Sequence, residues 1–312
     1  MGITQSESIA VSYLRVIATL LILTCHILQA LGNRWAWVLN IGVQVFFFIS
    51  GYLYGHKNIV NWKSWYINRF KKIYIPFIST VFIFVILLFL FNYTFSPLNI
   101  ISYVFASQWF YGNIFGLEHL WFITAVLLCY LSTPLLQSLK SDNILPLIVL
   151  FIYSLYELFI VRYDVKVFIP LFIFAFGYFY ACLESRWKTS TTIMLLTICC
   201  IVIFHTTWGD ILVYNSRQNQ VFHTYCGITF SILFLQLASK LRNIILLPIG
   251  HFIDKYSYEI YLIHHPLILG PLSLMFASDY ISANVIAILL LTVLSSVFLK
   301  WIFNRILDKI PS

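Results

Sequence analysis

Apolar residues recur along this chain in long unbroken runs, without the alternation of a surface strand or the striped face of a soluble helix. Crossing a hydrocarbon core of roughly 30 Å takes about 20 such residues. Runs near that length occupy 9–31, 36–55, 74–92, 119–139, 144–161, 167–183, 191–207, 224–239, 258–275 and 284–303, with short polar breaks between them. The pattern predicts an all-α, polytopic transmembrane bundle of about ten spans, with residues 1–312 forming one membrane domain and no separate soluble part. Pro146 and Pro170 interrupt the fifth and sixth runs, and Arg162 and Lys166 sit in their connection, so a re-entrant pair is an alternative there. Either version leaves an even total. The first run is too long for a signal-peptide core and lacks both a basic stretch before it and a small-residue cleavage site after it, so it reads as a retained helix.

Composition agrees, since 61% hydrophobic residues against 10% charged leave too little polar surface for a soluble globule of this length. The formal charge of +8 raises nucleic acid as a partner, and the placement of the nineteen Lys and Arg removes it. With the N-terminus in the cytoplasm, fourteen fall inside: Lys57, Lys63, Arg69, Lys71, Lys72, Lys140, Arg186, Lys188, Lys240, Arg242, Lys255, Lys300, Arg305 and Lys309. Arg34, Arg162, Lys166 and Arg217 fall outside, and Arg15 lies within the first run. Positive loops stay inside, so both termini are expected in the cytoplasm, and topogenesis accounts for the basic balance with no nucleic-acid partner.

The six cysteines, Cys25, Cys129, Cys182, Cys199, Cys200 and Cys226, lie in or beside apolar runs without zinc-site spacing, and read as buried free thiols. No internal repeat and no Gly-rich phosphate loop is present. Asn92-Tyr93-Thr94 matches the glycosylation sequon, a pattern too short to carry weight.

Ionisable side chains at membrane depth are costly, which makes each a candidate for function. Arg15 and His26 stand eleven residues apart. Eleven helical steps return to within about 20° of the starting direction, so both project from one face, about 16 Å apart along the axis. The plain reading is an Arg that snorkels and a His satisfied by a neighbouring helix. In the second run, Gly42 to Leu53 carries small residues that admit a close helix neighbour. The stretch from Gly55 to Tyr74, expected as a cytoplasmic loop, interleaves Trp62, Trp65 and Tyr66 with Lys63, Arg69, Lys71 and Lys72. It suits an interfacial helix on anionic lipid or, more sharply, a cradle for a phosphorylated ligand. Glu118, His119 and Trp121 open the fourth run, where an acid and a His also serve as plain capping. Ser257, Tyr261, His264 and His265 fall in the ninth, with the two histidines expected about a third of the way across and Pro266 freeing a backbone carbonyl there. His205, His223 and His251 are read as surface residues.

At these residues the chain resembles the acyltransferase 3 family, membrane O-acyltransferases that decorate bacterial surface glycans. The Arg, ten residues, His pattern of that family is present as Arg15 to His26. Its Gly-Val, Phe-Phe and Ser-Gly-Tyr-Leu series matches Gly42-Val43, Phe46-Phe47 and Ser50 to Leu53, its His-Leu-Trp-Phe element matches His119 to Phe122, and its Ser-Tyr, Ile-Tyr-Leu, His-Pro element matches Ser257 to Pro266. Two departures stand out. The Arg-x-x-Arg before the third span reads Arg69-Phe70-Lys71-Lys72, which keeps the charge and loses one bidentate fork. No hydrolase-type domain follows the tenth span, as expected of a minimal member.

The resemblance implies no bound cofactor or metal. It implies acyl-CoA, most often acetyl-CoA, as a co-substrate reached from the cytoplasm, and a glycan hydroxyl as acceptor on the outer side of a bacterial cytoplasmic membrane. Membrane lipid, acyl-CoA and the glycan are then the partners. Arg15 and His26 are the expected catalytic pair, with His26 as general base or acyl carrier. Arg69, Lys71 and Lys72 are expected on the donor, and Glu118, His119, Trp121, Ser257, Tyr261, His264 and His265 line the site. A polysaccharide or lipid-linked-sugar exporter is the alternative, weakened by the lack of paired interrupted spans in the two halves. A catalytically silent receptor or assembly factor is a third option, which the His and Arg placement argues against.

Overall fold

A computed structural model describes residues 3–159, 168–205, 208–214, 216–240 and 247–307. Arg162, Lys166, Arg242 and Lys309 lie outside the described residues, as do the connection of the fifth and sixth expected spans and the side chains of His205 and Lys240. Among the described residues every regular element is a helix. In chain order these are α1 (Gln5–Ala30), α2 (Ala36–Leu39), α3 (Ile41–Gly55), α4 (Trp62–Leu90), α5 (Pro97–Val104) and α6 (Gln108–Tyr111), then a 3₁₀ turn at Glu118–Leu120. There follow α7 (Trp121–Ser138), α8 (Leu145–Phe159), α9 (Phe168–Cys182), α10 (Ser185–His205), α11 (Trp208–Ile211), α12 (Arg217–Lys240), α13 (Pro248–Ile268) and α14 (Ile281–Leu307). Among the described residues, seven helical stretches are long and apolar enough to cross a membrane: Gln5–Ala30, Ala36–Gly55, Trp62–Leu90, Glu118–Ser138, Ser185–Phe204, Arg217–Ala238 and Ile281–Leu307. With the shorter α8 and α9 and the more polar α13, they occupy the ten expected runs in order. The chain is an all-α, multi-pass membrane protein.

Two boundaries differ from expectation. The expected loop before the third span is the start of α4, because the Asn61 side chain accepts the Ser64 N–H at 3.0 Å and caps a helix that nothing interrupts before the apolar run. α13 begins at Pro248, ten residues before the expected 258, and ends at Ile268. Proline is suited to a first helical position, and Gly270, at φ +97°, closes the other end. His264 and His265 therefore lie in the last turns of α13, not a third of the way across a span.

By its internal packing the chain divides into two compact units, residues 1–58 with 128–254 and residues 59–127 with 255–312. In the first, α3 is the central helix, packed by α9, α1 and α12. Gly42 lies against α1, where a Cβ would stand 2.7 Å from the Ala18 carbonyl oxygen. Gly51 and Gly55 lie against the α9 backbone at Phe174 and Tyr178, and Gly177 lies reciprocally against Phe48. Small residues that let backbones touch are how helices associate where lipid removes the hydrophobic drive. Residue numbers rise together along this contact, so α3 and α9 run parallel, as alternate crossing requires of a second and a sixth span. The start of α1 is fixed by a capping box in which the Glu7 N–H donates to Thr4 Oγ1 at 3.3 Å and the Thr4 N–H to Glu7 Oε2 at 2.8 Å. The Tyr52 hydroxyl also donates to Glu7 Oε1, at 2.8 Å, tying α3 to that cap.

In the second unit, three side chains of α13 reach neighbouring elements. Tyr258 donates to the Ile73 carbonyl of α4 at 2.7 Å, Tyr261 to the His119 carbonyl at 2.6 Å, and buried Glu259 pairs with Lys300 of α14 at 3.2 Å. The segment leading to His119 is pinned as well, since Gln108 donates to the Leu120 carbonyl at 2.6 Å and Tyr103 to the Leu117 carbonyl at 3.0 Å. Burial pushes the Tyr103 phenol up from an ordinary value already well above physiological pH.

Candidate functional site

In the first unit, α1 is unbroken from Gln5 to Ala30, so the Arg15 to His26 interval does place both residues on one helix face. Arg15 is not alone. Its Nη1 is hydrogen-bonded and ion-paired with the carboxylate of Asp254 in the second turn of α13, their side chains 29% and 18% exposed. At the other end of the face, His26 Nδ1 lies 3.1 Å from Gln29 Oε1. With that oxygen accepting, the ring proton sits on Nδ1 and a neutral imidazole keeps its lone pair on Nε2, the form a general base requires.

In the second unit, four expected site residues converge. The imidazoles of His119 and His265 are stacked, 4.5 Å between centroids and 14° between planes. His264 meets the edge of His119 at 5.4 Å, and Tyr261 stands 5.3 Å from it. All three histidines are buried. The last turns of α13 present His264 and His265, and the turn at Glu118–Leu120 presents His119 across from them. His265 Nδ1 lies 2.9 Å from the Gly116 carbonyl oxygen, and His264 Nδ1 lies 2.9 Å from that of Ile260. A carbonyl only accepts, so both rings donate through Nδ1 and, when neutral, carry the lone pair on Nε2.

That geometry depends on two glycines. Gly116 and Gly270 adopt φ of +91° and +97°, and a Cβ on Gly270 would stand 2.5 Å from the Gly116 Cα. Only glycine permits both the left-handed conformation and the contact. Glu118 braces the same loop by accepting the Gly116 N–H at 2.8 Å. Trp121 is set one step back, 5.1 Å from Trp109 between ring centroids, and Ser257 is buried on α13. Arg69 and Lys71 are half-buried and Lys72 exposed near the start of α4. Among the described residues no group of three or more His, Cys, Asp or Glu side chains is arranged to hold a metal ion.

The sequence profile of the acyltransferase 3 family, described as an acyltransferase domain, matches residues 8–305. The chain belongs to that family. The match takes in all four motifs read from the sequence, from Arg15 to Pro266, so this acyltransferase carries the family pattern through nearly its whole length. No curated protein and no solved structure matches the chain.

Reading the sequence missed Asp254, Gln29, Gly116 and Gly270. For Asp254 there was a trace, because it precedes His265 by the same eleven residues that separate Arg15 from His26. Like that pair, the two share a face of their helix.

Proposed function

We propose that this membrane acyltransferase moves an acyl group, acetyl in the simplest case, from acyl-CoA to a hydroxyl of a cell-surface or exported glycan. The observation that carries the reading is the first-unit arrangement: a cation and a titratable ring at opposite ends of one face of α1, in a chain matched by an acyltransferase family from residue 8 to residue 305. Arg15 meets an anionic part of the donor, and the acyl thioester extends along the pantetheine arm toward His26. Acting as base, His26 Nε2 takes the proton of the acceptor hydroxyl as its oxygen attacks the thioester carbonyl. The C–S bond breaks, and the departing thiolate receives the proton. In the acyl-carrier variant His26 Nε2 attacks the thioester carbonyl, the C–S bond breaks and CoA leaves as the thiolate; the acceptor oxygen then displaces the imidazole from the acyl carbon, and the hydroxyl proton passes to the thiolate or to water.

Arg69, Lys71 and Lys72 supply cations for the phosphates of the coenzyme, and Lys72 gives charge without the planar fork of an arginine. His119, His264 and His265 orient the acceptor, and a His119 ring N–H donates to the developing oxyanion, since neutral His264 and His265 have committed their ring N–H to backbone carbonyls. The donor is taken from the cytoplasm and the acceptor from the outer side, with both termini in the cytoplasm of a bacterial cell.

The test has two parts. Purified protein given acetyl-CoA should release free CoA over many turnovers only when an acceptor glycan is added, and surface glycans of cells lacking the protein should lose an acyl increment by mass spectrometry. Glycans of unchanged mass but reduced surface amount would replace this reading with export.

A further inference from the structure

We propose that Asp254 is a positioning residue for Arg15: its carboxylate sets the plane of the guanidinium so that the remaining N–H edge receives the anionic part of the acyl donor. The inference rests on the reading above, in which Arg15 meets the donor. It starts from the chemistry of the pair. A guanidinium presents five N–H groups in a rigid fork, and Asp254 takes it at Nη1. A carboxylate bound there does not engage Nε or Nη2, whose parallel N–H groups suit two oxygens of a second anion.

Arg15 has a long side chain with many rotamers, which any ligand would have to freeze unless something already holds it. Asp254 is placed to hold it, because it stands on a different helix with a short side chain in the second turn of α13. On α1 itself the Arg15 carbonyl accepts the Thr19 hydroxyl at 2.8 Å. Exposures of 29% for Arg15 and 18% for Asp254 leave the pair partly accessible, as a ligand contact requires and a sealed ion pair would not be.

An ion pair that only stabilises the fold predicts different behaviour, so the test compares donor binding with folding. Binding of radiolabelled acetyl-CoA and the KM for acetyl-CoA would be measured on full-length protein, with thermal stability in detergent recorded alongside. Asp254→Asn should weaken donor binding by about tenfold or more at near wild-type stability, and Asp254→Glu should recover part of the loss. The exchanged pair Arg15→Asp with Asp254→Arg should keep stability near wild type without restoring donor binding. Wild-type donor affinity in Asp254→Asn, or an exchanged pair with full activity, overturns the proposal. If Asp254→Asn does not fold, Asp254→Glu decides, because a folded Glu protein with unchanged KM at altered stability makes the pair structural. Arg15→Lys separates the two levels: unchanged acetyl-CoA binding there removes Arg15 from the donor, whereas a loss there beside an unaffected Asp254→Asn removes only the role of Asp254.

Discussion

His119 and His265 stack their imidazoles at 4.5 Å, and each is fixed through a backbone carbonyl, His119 by accepting from Tyr261 and His265 by donating to Gly116. A buried ring pair of this kind is either a packing element or a pair of polar groups held ready for a substrate. His265→Phe separates the two, since it keeps the stacked ring and loses both nitrogens. The Gly116 carbonyl then lacks its donor, at about 1–3 kcal/mol of stability. Chemistry at this cluster predicts a fall in kcat of about 100-fold in protein that still inserts. A kcat within a few-fold of wild type would make the cluster scaffold.

The α3–α9 contact yields a prediction about folding alone. Any side chain at Gly51 would overlap the Phe174 carbonyl, and two helix backbones cannot yield as a flexible side chain does. Gly51→Leu should cost about 3 kcal/mol or more, the upper end of overpacking penalties, and collapse the yield of detergent-stable protein. Gly209→Ala, where nothing lies within 4 Å of the added carbon, should stay within about 1 kcal/mol of wild type. Equal thermal stability of the two variants would contradict the packing.

The seven long apolar helical stretches were legible in the sequence because lipid enforces long apolar runs with every backbone group satisfied internally. What hydropathy blurred were the polar beginnings of helices. Lys63 to Lys72 and Ile249 to Ser257 look like loops by composition, yet a cap at Asn61 and a proline at position 248 start helices there. That blurring hid Asp254, which sits in the misread start of α13. Motif spacing found His119 and His265, but their stacking depends on Gly116 and Gly270. A glycine in a sequence does not reveal whether its freedom is used in a turn or in a contact between distant backbones.

The start of α4 offers a test of donor recognition. Arg69 and Lys71 are half-buried and Lys72 exposed on one continuous helix. Losing a charged hydrogen bond to phosphate costs about 1.5–3 kcal/mol, which is about 10- to 150-fold in affinity. Arg69→Ala should raise the KM for acyl-CoA by that factor. A KM unchanged from wild type would leave anchoring on anionic lipid as the role of this segment.

Orientation follows from charge and is checked by labelling. Asn61 is exposed and immediately precedes α4, on the side expected to face the cytoplasm. A cysteine introduced as Asn61→Cys should resist an impermeant maleimide in intact cells and react once the membrane is opened. Reaction in intact cells would reverse the topology and with it the side from which the donor arrives.

His26 stands at the centre of the proposed chemistry, because it shares a face of α1 with Arg15, and Gln29 fixes its Nδ1. A general base contributes about 10²- to 10⁴-fold, so His26→Ala should lower kcat by that range while membrane abundance and thermal stability stay near wild type. His26→Gln retains hydrogen-bonding capacity without a base and should be equally inactive. Gln29→Leu should give an intermediate loss, since the ring survives and its proton is no longer held on Nδ1. If His26 carries the acyl group, incubation with labelled acetyl-CoA without acceptor should leave label on the wild-type protein and none on His26→Ala; a base leaves none on either. Full glycan acylation by His26→Ala, in cells and in purified form, would move the catalytic role to His119, His264 or His265.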